Sequence, residues 1–540
     1  MAHRPARPLG LVLALAAIAP SVAAHASTAQ VPCEVLRLES PHAPVDGHFG
    51  HALAVRGDRM VVCMYSHTLD PNYGSAYVFD RVGASWSQSA VLTIPDGVNG
   101  AYFGWAVAVD GDVALVTRQS DGQLNAKSSV YVFQRDPSGA WLQTQKLVPP
   151  APEAWGFGWS ISLDGTRVAI GSKGAGSAGP KGRVFVYELE QGQFVLKQKL
   201  VPSLDNLSDW FGHSVALQGD RIAVGANKGG TGRAYVFDRQ ASGTWVQSAL
   251  LLPTDLAPAD QYGYAVALDG DRVAVSAPGH DIPWINHGGI YIFERSSAGA
   301  WEQTAKLSLF AGSTLPRLGW SMDLAGDELW VGSPTDNDAL DGSGKVHLFR
   351  RDVDGWTKAA TLSGSNPGVL FTLGWSIARD GSTLVAGAPA TQSPQWGRVH
   401  IFSLDGTPTL TATTAGALSN AAGGVQPFQL GACQSHAGDF YLILGSLSGA
   451  EPALPLGAVS VPLVPDFYTQ FTLNQPNSAL LPASLGQLDP WGRAYASFQL
   501  PPATPASTIG LTFHHAYLVF DQTTLALESA SNAVPVTIGP

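Results

Sequence analysis

Cysteine, charge and helical periodicity are scarce in this sequence, and each shortage excludes a class of protein. The three cysteines are Cys33, Cys63 and Cys433, an odd number that excludes a framework of several disulfides. Charged residues make up 14% of the chain and the net charge is −11, so nucleic acid is not expected as a partner. Beyond the N-terminus no segment approaches the roughly 18 uninterrupted apolar residues of a membrane span. We therefore expect no integral membrane span and no long helix in the mature chain.

Glycine, in contrast, is abundant, and many of the 60 glycines recur in one register. Seven units of about 54 residues run along the chain, and each begins with an aromatic or large apolar residue followed by glycine: Phe49-Gly50, Phe103-Gly104, Phe157-Gly158, Phe211-Gly212, Tyr262-Gly263, Leu318-Gly319 and Leu373-Gly374. A second glycine follows seven residues after the first in every unit: Gly57, Gly111, Gly165, Gly219, Gly270, Gly326 and Gly381. A repeat of this length with several short strands is typical of radial or stacked repeat folds.

One unit predicts four antiparallel strands. In the fourth unit these are residues 211–217, 221–226, 232–237 and 245–252, separated by turn residues and alternating at period two. Gly219 supplies the positive φ that a tight hairpin turn needs. Four antiparallel strands joined by short hairpins make one propeller blade.

The seventh unit lacks a fourth strand, and a segment before the first unit supplies one. Residues 34–39 resemble the fourth strands at 145–148 and 198–201. We predict that this N-terminal strand closes blade seven, because closure leaves only short protected edges. The fold class is then all-β, a seven-bladed β-propeller with four-stranded blades. A solenoid of the same repeats is the competing interpretation.

Both ends of the chain differ from the repeats in composition. The first residues carry two arginines, the apolar run 11–19 and the small-residue cleavage site Ala24-His25-Ala26, which predict a secretory signal peptide and an exported protein. From about Pro408 the repeat stops, and short strands with proline and glycine breaks predict a β-sandwich. The predicted domains are a signal peptide at 1–26, the propeller at 27–407 and a C-terminal β-sandwich at 408–540.

The repeats resemble a known family. Residues 211–216, Phe-Gly-His-Ser-Val-Ala, and Gly387-Ala388-Pro389 are similar to the two halves of the FG-GAP repeat of the integrin alpha-chain N-terminal propeller. The resemblance covers seven units, about two thirds of the chain. It implies a propeller, an extracellular setting and a role in binding or adhesion. Segments such as 444–449 and 488–494 resemble a C-terminal module of secreted bacterial proteins.

The resemblance also implies calcium, because several integrin blades hold Ca²⁺ between their first two strands. A calcium loop needs several oxygen ligands at short spacing, whereas turns such as Gly270-Asp271 leave only a few residues between strands. We interpret these aspartates as turn formers and expect no cofactor, with calcium as the alternative. An acidic cluster in a different loop provides the metal candidates Asp336, Asp338 and Asp341.

Several other residues have a structural interpretation. Cys63 stands where four other units carry glycine and is interpreted as a buried thiol, while a Cys33–Cys433 bridge is left open. His514 and His515 are adjacent on a predicted strand, so they point to opposite faces and cannot share one metal ion. Four tryptophans directly follow a repeat glycine: Trp105, Trp159, Trp320 and Trp375. We interpret them as packing between neighbouring blades, with a ligand site in the channel as the alternative.

Function is predicted from the loops and from the resemblance. The connections between second and third strands and the crossovers between blades vary in length and open onto one face, where Trp284, Trp396 and Trp210 are candidate ligand anchors. We predict a secreted or cell-surface, non-catalytic binding or adhesion protein with an extracellular protein or glycan as its partner. The alternatives are a structural envelope or extracellular scaffold protein and, less favoured, a polysaccharide-active enzyme.

Overall fold

The protein is all-β in the computed structural model, apart from one short α-helix among the residues described. The structure describes residues 32–39, 47–66, 74–82, 85–94, 101–120, 128–150, 155–174, 181–204, 209–228, 230–281, 287–309, 316–336, 343–364, 372–389, 397–405, 408–412, 418–433, 436–457, 459–490 and 492–540. The predicted signal peptide lies outside these residues.

The repeats form strands close to those predicted from the sequence. In chain order they are β1 (Cys33–Glu39), β2 (Gly47–Arg56), β3 (Arg59–Ser66), β4 (Ser75–Val82), β5 (Ser85–Leu92), β6 (Ala101–Asp110), β7 (Val113–Ser120), β8 (Ser129–Arg135), β9 (Trp141–Leu147), β10 (Phe157–Asp164), β11 (Arg167–Ser172), β12 (Arg183–Glu190), β13 (Gln193–Leu200), β14 (Ser214–Gln218), β15 (Arg221–Ala226), β16 (Arg233–Arg239), β17 (Trp245–Leu251), β18 (Val266–Asp269), β19 (Arg272–Ala277), β20 (Gly289–Arg295), β21 (Trp301–Leu307), β22 (Ser321–Ala325), β23 (Glu328–Ser333), β24 (Lys345–Asp352), β25 (Gly355–Leu362), β26 (Ser376–Asp380), β27 (Thr383–Ala388) and β28 (Arg398–Ser403).

These strands make seven four-stranded sheets within the described residues. Six sheets contain four consecutive strands in chain order, from β2-β3-β4-β5 to β22-β23-β24-β25. The remaining sheet has the order β1-β28-β27-β26, so the N-terminal strand lies beside the third strand of the last repeat, as predicted. Two-residue turns join the first and second strands, and the first turn residue is a glycine with φ between +55° and +57°, as a type II′ turn requires.

The first strands of the repeats contact one another in a closed cycle. Each packs against the first strand of the next repeat, and β26 packs against β2. Ser376 Oγ, in the seventh repeat, donates a 2.8 Å hydrogen bond to Gly50 O in the first. Ser321 Oγ makes the equivalent bond to Gly374 O between the sixth and seventh repeats. The last repeat therefore contacts the first repeat in the way that interior neighbours contact each other.

Where neighbouring repeats pack, the paired residues of the first and second strands complement each other in size. Four repeats place serine on the first strand opposite glycine on the second: Ser160–Gly171, Ser214–Gly225, Ser321–Gly332 and Ser376–Gly387. Three repeats place alanine on the first strand and a larger residue on the second: Ala52–Cys63, Ala106–Thr117 and Ala265–Ser276. An added Cβ at Gly387 would lie 2.0 Å from Gly50 O, so the serine-containing pairs require glycine on the second strand.

The C-terminal residues form three further sheets, of which the larger two share one hydrophobic core. The elements are β29 (Thr409–Ala412), β30 (Leu418–Ser419), β31 (Gly424–Gly431), β32 (Phe440–Ser446), β33 (Leu454–Leu456), β34 (Val459–Val461), α1 (Phe467–Asn474), β35 (Leu485–Gln487), β36 (Arg493–Leu500), β37 (Thr512–Phe520), β38 (Leu527–Ala530) and β39 (Val534–Gly539). The sheets have the orders β29-β31-β36, β30-β39-β37-β32-β35 with β38 beside β37, and β33-β34.

Core residues show how these sheets pack. Phe428 and Phe498 of the smaller sheet share a buried cluster with Tyr517 of the larger one. Leu442 and Leu518, which point to the opposite face, pack with Val461 of the β33-β34 pair. The larger sheet is therefore buried on both faces, which differs from a simple sandwich with one exposed face on each sheet.

The helix α1 was not predicted, although its eight residues agree with the expectation of no long helix. Asp466 caps it, because its Oδ1 accepts hydrogen bonds of 2.9 Å from both Tyr468 N and Thr469 N. Thr469 Oγ1 accepts in return from Asp466 N, which completes a capping box. The segment has only eight residues, so its period is too short to recognise in the sequence.

Cysteine and histidine residues lie largely where the sequence predicts. Cys63 is a buried free thiol, as predicted, and burial raises its pKa well above the ordinary value. Cys433 is disulfide-bonded, whereas the side chain of Cys33 lies outside the described residues. His515 is buried and hydrogen-bonds through Nε2 to Tyr468 Oη at 3.0 Å, which confirms its structural interpretation.

Contacts divide the chain into two compact units. One contains Arg37–Phe79 and Gln88–His400. The other contains Asp80–Ser87, Ile401–Pro540 and the residues up to Leu36. Within this second unit, Arg493 Nη1 lies 3.7 Å from Glu34 Oε1.

Candidate functional site

Seven planar side chains occupy the position directly after the first repeat glycine. We call them the aromatic band: His51, Trp105, Trp159, His213, Tyr264, Trp320 and Trp375. The glycine before each has φ between +76° and +91°, a backbone conformation that strains other residues. In the first three repeats the pairing of first and second strands shifts register at this point. The glycine therefore forms a local bulge that directs the following side chain.

The aromatic band is a closed ring of neighbours. Successive ring centroids lie 5.1, 4.6, 5.8, 4.9, 4.7 and 4.9 Å apart from His51 to Trp375, and 5.8 Å separates Trp375 from His51. The planes of all seven pairs are tilted by 43° to 49°. Spacings of this size are those of favourable aromatic pairs. All seven side chains are half-buried, so each keeps part of its surface open to solvent.

The band carries no net charge near neutral pH. Burial lowers the pKa of His51 to about 3, and a Coulombic contribution from His48 acts in the same direction. Burial likewise lowers the pKa of His213 to about 4, although its Nδ1 lies 3.0 Å from Tyr264 O. Burial raises the pKa of Tyr264 above its ordinary value. The band is thus a ring of neutral faces suited to stacking.

A positively charged corner adjoins the band. Lys173 Nζ lies 2.9 Å from the ring centroid of Trp159 and 4.5 Å from that of Trp210. Lys228 Nζ lies 4.1 Å from the centroid of the same Trp210 ring. The Trp210 ring is nearly parallel to the His213 ring, at 4° and 6.1 Å between centroids. We call these five residues the basic corner.

The candidate anchors of the sequence analysis have different outcomes. Trp210 lies at the crossover before β14, and Lys228 follows β15, so a crossover and a second-to-third-strand connection meet here. Lys228 N donates a 3.0 Å hydrogen bond to Asp209 O, which holds the two connections together. Trp284 and Trp396 lie outside the described residues, so their role stays a prediction. The four tryptophans of the band do pack against their neighbours, and they also keep exposed faces.

One acidic side chain, Asp323, follows the band residue Trp320 by three positions in the sequence. Asp323 occupies the fourth position after the repeat glycine, where five other repeats have alanine and one has serine. Its Oδ2 accepts a 3.2 Å hydrogen bond from Arg379 N. Burial raises the pKa of Asp323 to about 6, more than this hydrogen bond lowers it. Burial therefore disfavours the ionised form of the Asp323 carboxyl group.

The aspartates in the hairpin turns are bound by arginines of the preceding repeat. Arg221 Nη1 donates to Gly270 O at 2.6 Å and to Asp271 Oδ1 at 2.7 Å, and its guanidinium lies over the Trp301 ring. Three other pairs repeat this contact: Arg59–Asp112, Arg167–Asp220 and Arg272–Asp327. The turns contain two residues each, too few to surround an ion with oxygen ligands.

The metal candidate Asp336 is buried beside two side chains of β24. Its Oδ2 lies 2.9 Å from His347 Nε2, and its Oδ1 lies 3.8 Å from Lys345 Nζ. Burial lowers the pKa of His347, and Asp336 opposes that change. The other candidates, Asp338 and Asp341, lie outside the described residues. Asp336 therefore pairs with both side chains, and metal binding at these candidates stays a prediction.

A second cluster of titratable groups lies in the C-terminal unit. His436 Nδ1 is 3.0 Å from Asp439 Oδ2 and 3.0 Å from Glu528 Oε2. The ligand atoms of these three residues lie within 4.8 Å of one another. One imidazole N–H satisfies both carboxylates in part, which explains the cluster without an ion.

A protein-family model agrees with the repeats found in the sequence. The FG-GAP repeat model matches residues 86–133, 194–237 and 245–293, so the chain carries FG-GAP repeats at three sites. The chain is also similar to a structural-genomics target from Lactobacillus plantarum, at 16% identity and a TM-score of 0.40, over 59% of this chain and 86% of that one. No curated protein matches the chain. None of the helices among the described residues is long and apolar enough to span a membrane.

Sequence reasoning found only part of the band. It singled out the four tryptophans but missed His51, His213 and Tyr264, which occupy the same repeat position. The available signal was that all seven residues after the glycine have planar rings. The basic corner had no such signal, because Lys173 and Lys228 belong to connections whose spacing does not predict contact.

Proposed function

We propose that this chain is an exported, non-catalytic binding protein whose aromatic band binds a glycan. In this proposal the seven four-stranded sheets are the blades of one β-propeller, with β1 completing the seventh, and the C-terminal sheets form a β-sandwich extended by the β33-β34 pair. The band then encircles the propeller axis. The closed cycle of contacts from β2 to β26 and back supports this arrangement.

The observation that carries the proposal is the closed band of seven half-buried planar side chains. Ligand sites are mostly apolar and aromatic, with a few polar groups that fix orientation. The C–H faces of a pyranose ring stack on such side chains, and the hydroxyl groups reach the polar rim. Because burial keeps both histidines neutral, the band is suited to stacking, not to proton transfer. Binding is therefore favoured over a polysaccharide-cleaving activity.

Export is supported by two independent features. The sequence begins with the predicted signal peptide, and Cys433 is disulfide-bonded. Structural disulfides persist in oxidising compartments outside the cytosol. The FG-GAP repeats also support a binding or scaffold role at the cell surface.

The proposal is tested with the mature chain on a neutral glycan array and a matrix-protein array, each with and without calcium. We expect glycan binding that quenches tryptophan fluorescence and that Trp375→Ala weakens about tenfold. Trp356→Ala is the matched control, because that tryptophan lies on a fourth strand beside Arg272, away from the band. Binding of proteins alone would transfer the function to the adhesion class. Binding of neither, with retention of the protein in the cell envelope, would favour the scaffold alternative.

A further inference from the structure

The two lysines of the basic corner contrast with three lysines elsewhere in the described residues that have carboxylate partners. Those three pairs are Lys197 with Glu190, Lys306 with Asp255 and Lys345 with Asp336. Among the described residues, no carboxylate pairs with Lys173 or Lys228, whose contacts are with tryptophan rings. The chain has a net charge of −11, so a general shortage of acidic residues does not explain this.

The two ammonium groups also oppose each other. Burial is the main cause that lowers the pKa of Lys173 to about 7, and the charge of Lys228 adds to it. Both lysines contact the Trp210 ring, at 4.5 and 4.1 Å. An anion beside them would offset this repulsion and favour the charged form of Lys173. Cations that repel each other, and that lack a carboxylate partner among the described residues, are typical of a binding site when they lie beside exposed aromatic faces.

The tryptophan that both lysines contact is specific to this corner. Trp210 has φ of +59°, but Gln261 and Arg317 have φ of +59° and +50° at the same repeat position. The left-handed backbone is therefore shared with the two following crossovers and does not distinguish this one. What distinguishes the corner is an indole ring at this position, stacked on His213 of the aromatic band.

We propose that the basic corner binds the carboxylate of a hexuronate residue in an acidic glycan whose sugar rings lie on the aromatic band. This inference rests on the proposed function and specifies its ligand class. Hexuronates combine a pyranose ring, with C–H faces that stack on indole, and a carboxylate, which accepts hydrogen bonds from ammonium groups. Trp159 and His213 belong to both the corner and the band, so one oligosaccharide reaches both.

The test compares oligogalacturonate with the same oligomer fully methyl-esterified, by calorimetric titration at low salt. The ester keeps the sugar backbone and removes the charge. At pH 6 we expect the acid to bind about tenfold more tightly than the ester. Lys173→Met and Lys228→Met should each remove most of that preference for the acid over the ester. Lys197→Met is the control, since this lysine pairs with Glu190.

The pH dependence gives a second readout. The titratable groups that face Lys173 among the described residues are Lys228 and His213, and His213 stays neutral because its pKa is about 4. Lys173 loses its charge as pH rises through about 7, so the preference for the acid should fall severalfold between pH 6 and pH 8.5. Lys173→Met should lose this dependence, and thermal melts confirm that each variant is folded.

The outcomes distinguish the hexuronate inference from the proposed function on which it rests. Equal affinity of the wild type for acid and ester would overturn the hexuronate inference and leave glycan binding in place. Full competition by free sulfate or acetate at low millimolar concentration would also overturn it, because the site would then take a simple anion. Binding of neither oligomer, together with no binding to neutral glycans, would overturn the proposed function itself.

Discussion

Gly57 N donates a 2.8 Å hydrogen bond to Asp380 Oδ2, across 323 positions of the sequence. The same bond joins adjacent repeats in three other places: Gly165 N to Asp110, Gly219 N to Asp164 and Gly326 N to Asp269. Asp380, on the first strand of the last repeat, therefore bonds to the first repeat in the way that the equivalent aspartates bond to the repeat that follows them. A stacked solenoid would leave Gly57 and Asp380 at opposite ends.

The serine–glycine complementarity predicts a non-additive exchange at this first-to-last contact. Ser376→Ala should cost about 1 kcal/mol, since it removes the bond to Gly50 O. Gly387→Ser should cost several kcal/mol, because a Cβ would lie 2.0 Å from Gly50 O. The double variant should be more stable than Gly387→Ser alone, since it recreates the pair Ala265–Ser276. Urea unfolding of the double-mutant cycle measures the coupling.

An interior pair provides the control for this cycle. The same exchange at Ser214 and Gly225 should give effects within about 0.5 kcal/mol of those at Ser376 and Gly387. Much smaller effects at the first-to-last contact would show that the cycle of repeats is open in solution.

The N-terminal strand predicts a truncation effect. Val35 and Leu36 of β1 are buried, and β1 covers the edge of β28. Deleting residues 27–40 should lower the free energy of unfolding by several kcal/mol or cause aggregation, because an unpaired strand edge becomes exposed. Deleting residues 27–31 is the control and should have little effect. An unchanged melting temperature in the longer deletion would contradict the role of β1.

Metal removal should leave stability unchanged. Arginines hold the turn aspartates, as Arg221 holds Asp271, and Asp336 pairs with His347. A metal that is not linked to folding cannot shift the unfolding equilibrium. We expect the same melting temperature in excess chelator and in millimolar calcium. A fall of many degrees in chelator would implicate a loop outside the described residues, with Asp338 and Asp341 as the first positions to substitute.

The fold was more predictable from the sequence than the site. Repeated glycines such as Gly219 mark a turn in every unit. Because the same pattern occurs seven times, differences in single copies do not obscure the strands of the unit. The contacts that form the site join residues about 54 positions apart or on different connections, as with Lys173 and Trp210. Their approach depends on the angle between neighbouring repeats, which spacing does not contain. The short helix α1 was missed because its cap, Asp466, binds locally and its length gives no period.

Asp323 predicts a pH-dependent stabilisation by alanine. Its folded-state pKa of about 6 lies above the ordinary value of 3.8, so the folded state binds the proton more tightly than the unfolded state. Its contribution to stability therefore falls as pH rises from about 4 to 6 and stays unfavourable above 6. Asp323→Ala should raise the free energy of unfolding by about 1–3 kcal/mol at pH 7 and by little at pH 4. Urea midpoints at several pH values measure it, and equal gains at both pH values would contradict it.

The last prediction separates the ligand role of Trp210 from its place in the fold. Gln261 occupies the same repeat position with the same φ of +59°, so glutamine fits this backbone. Trp210→Gln should leave the melting temperature nearly unchanged and weaken glycan binding about tenfold, because both lysines and His213 lose the indole face. Gln261→Asn, at the equivalent crossover of the next repeat, is the control and should bind normally. If Trp210→Gln binds like the wild type while changes within residues 408–540 abolish binding, then recognition belongs to the C-terminal unit and the basic corner is only a surface feature.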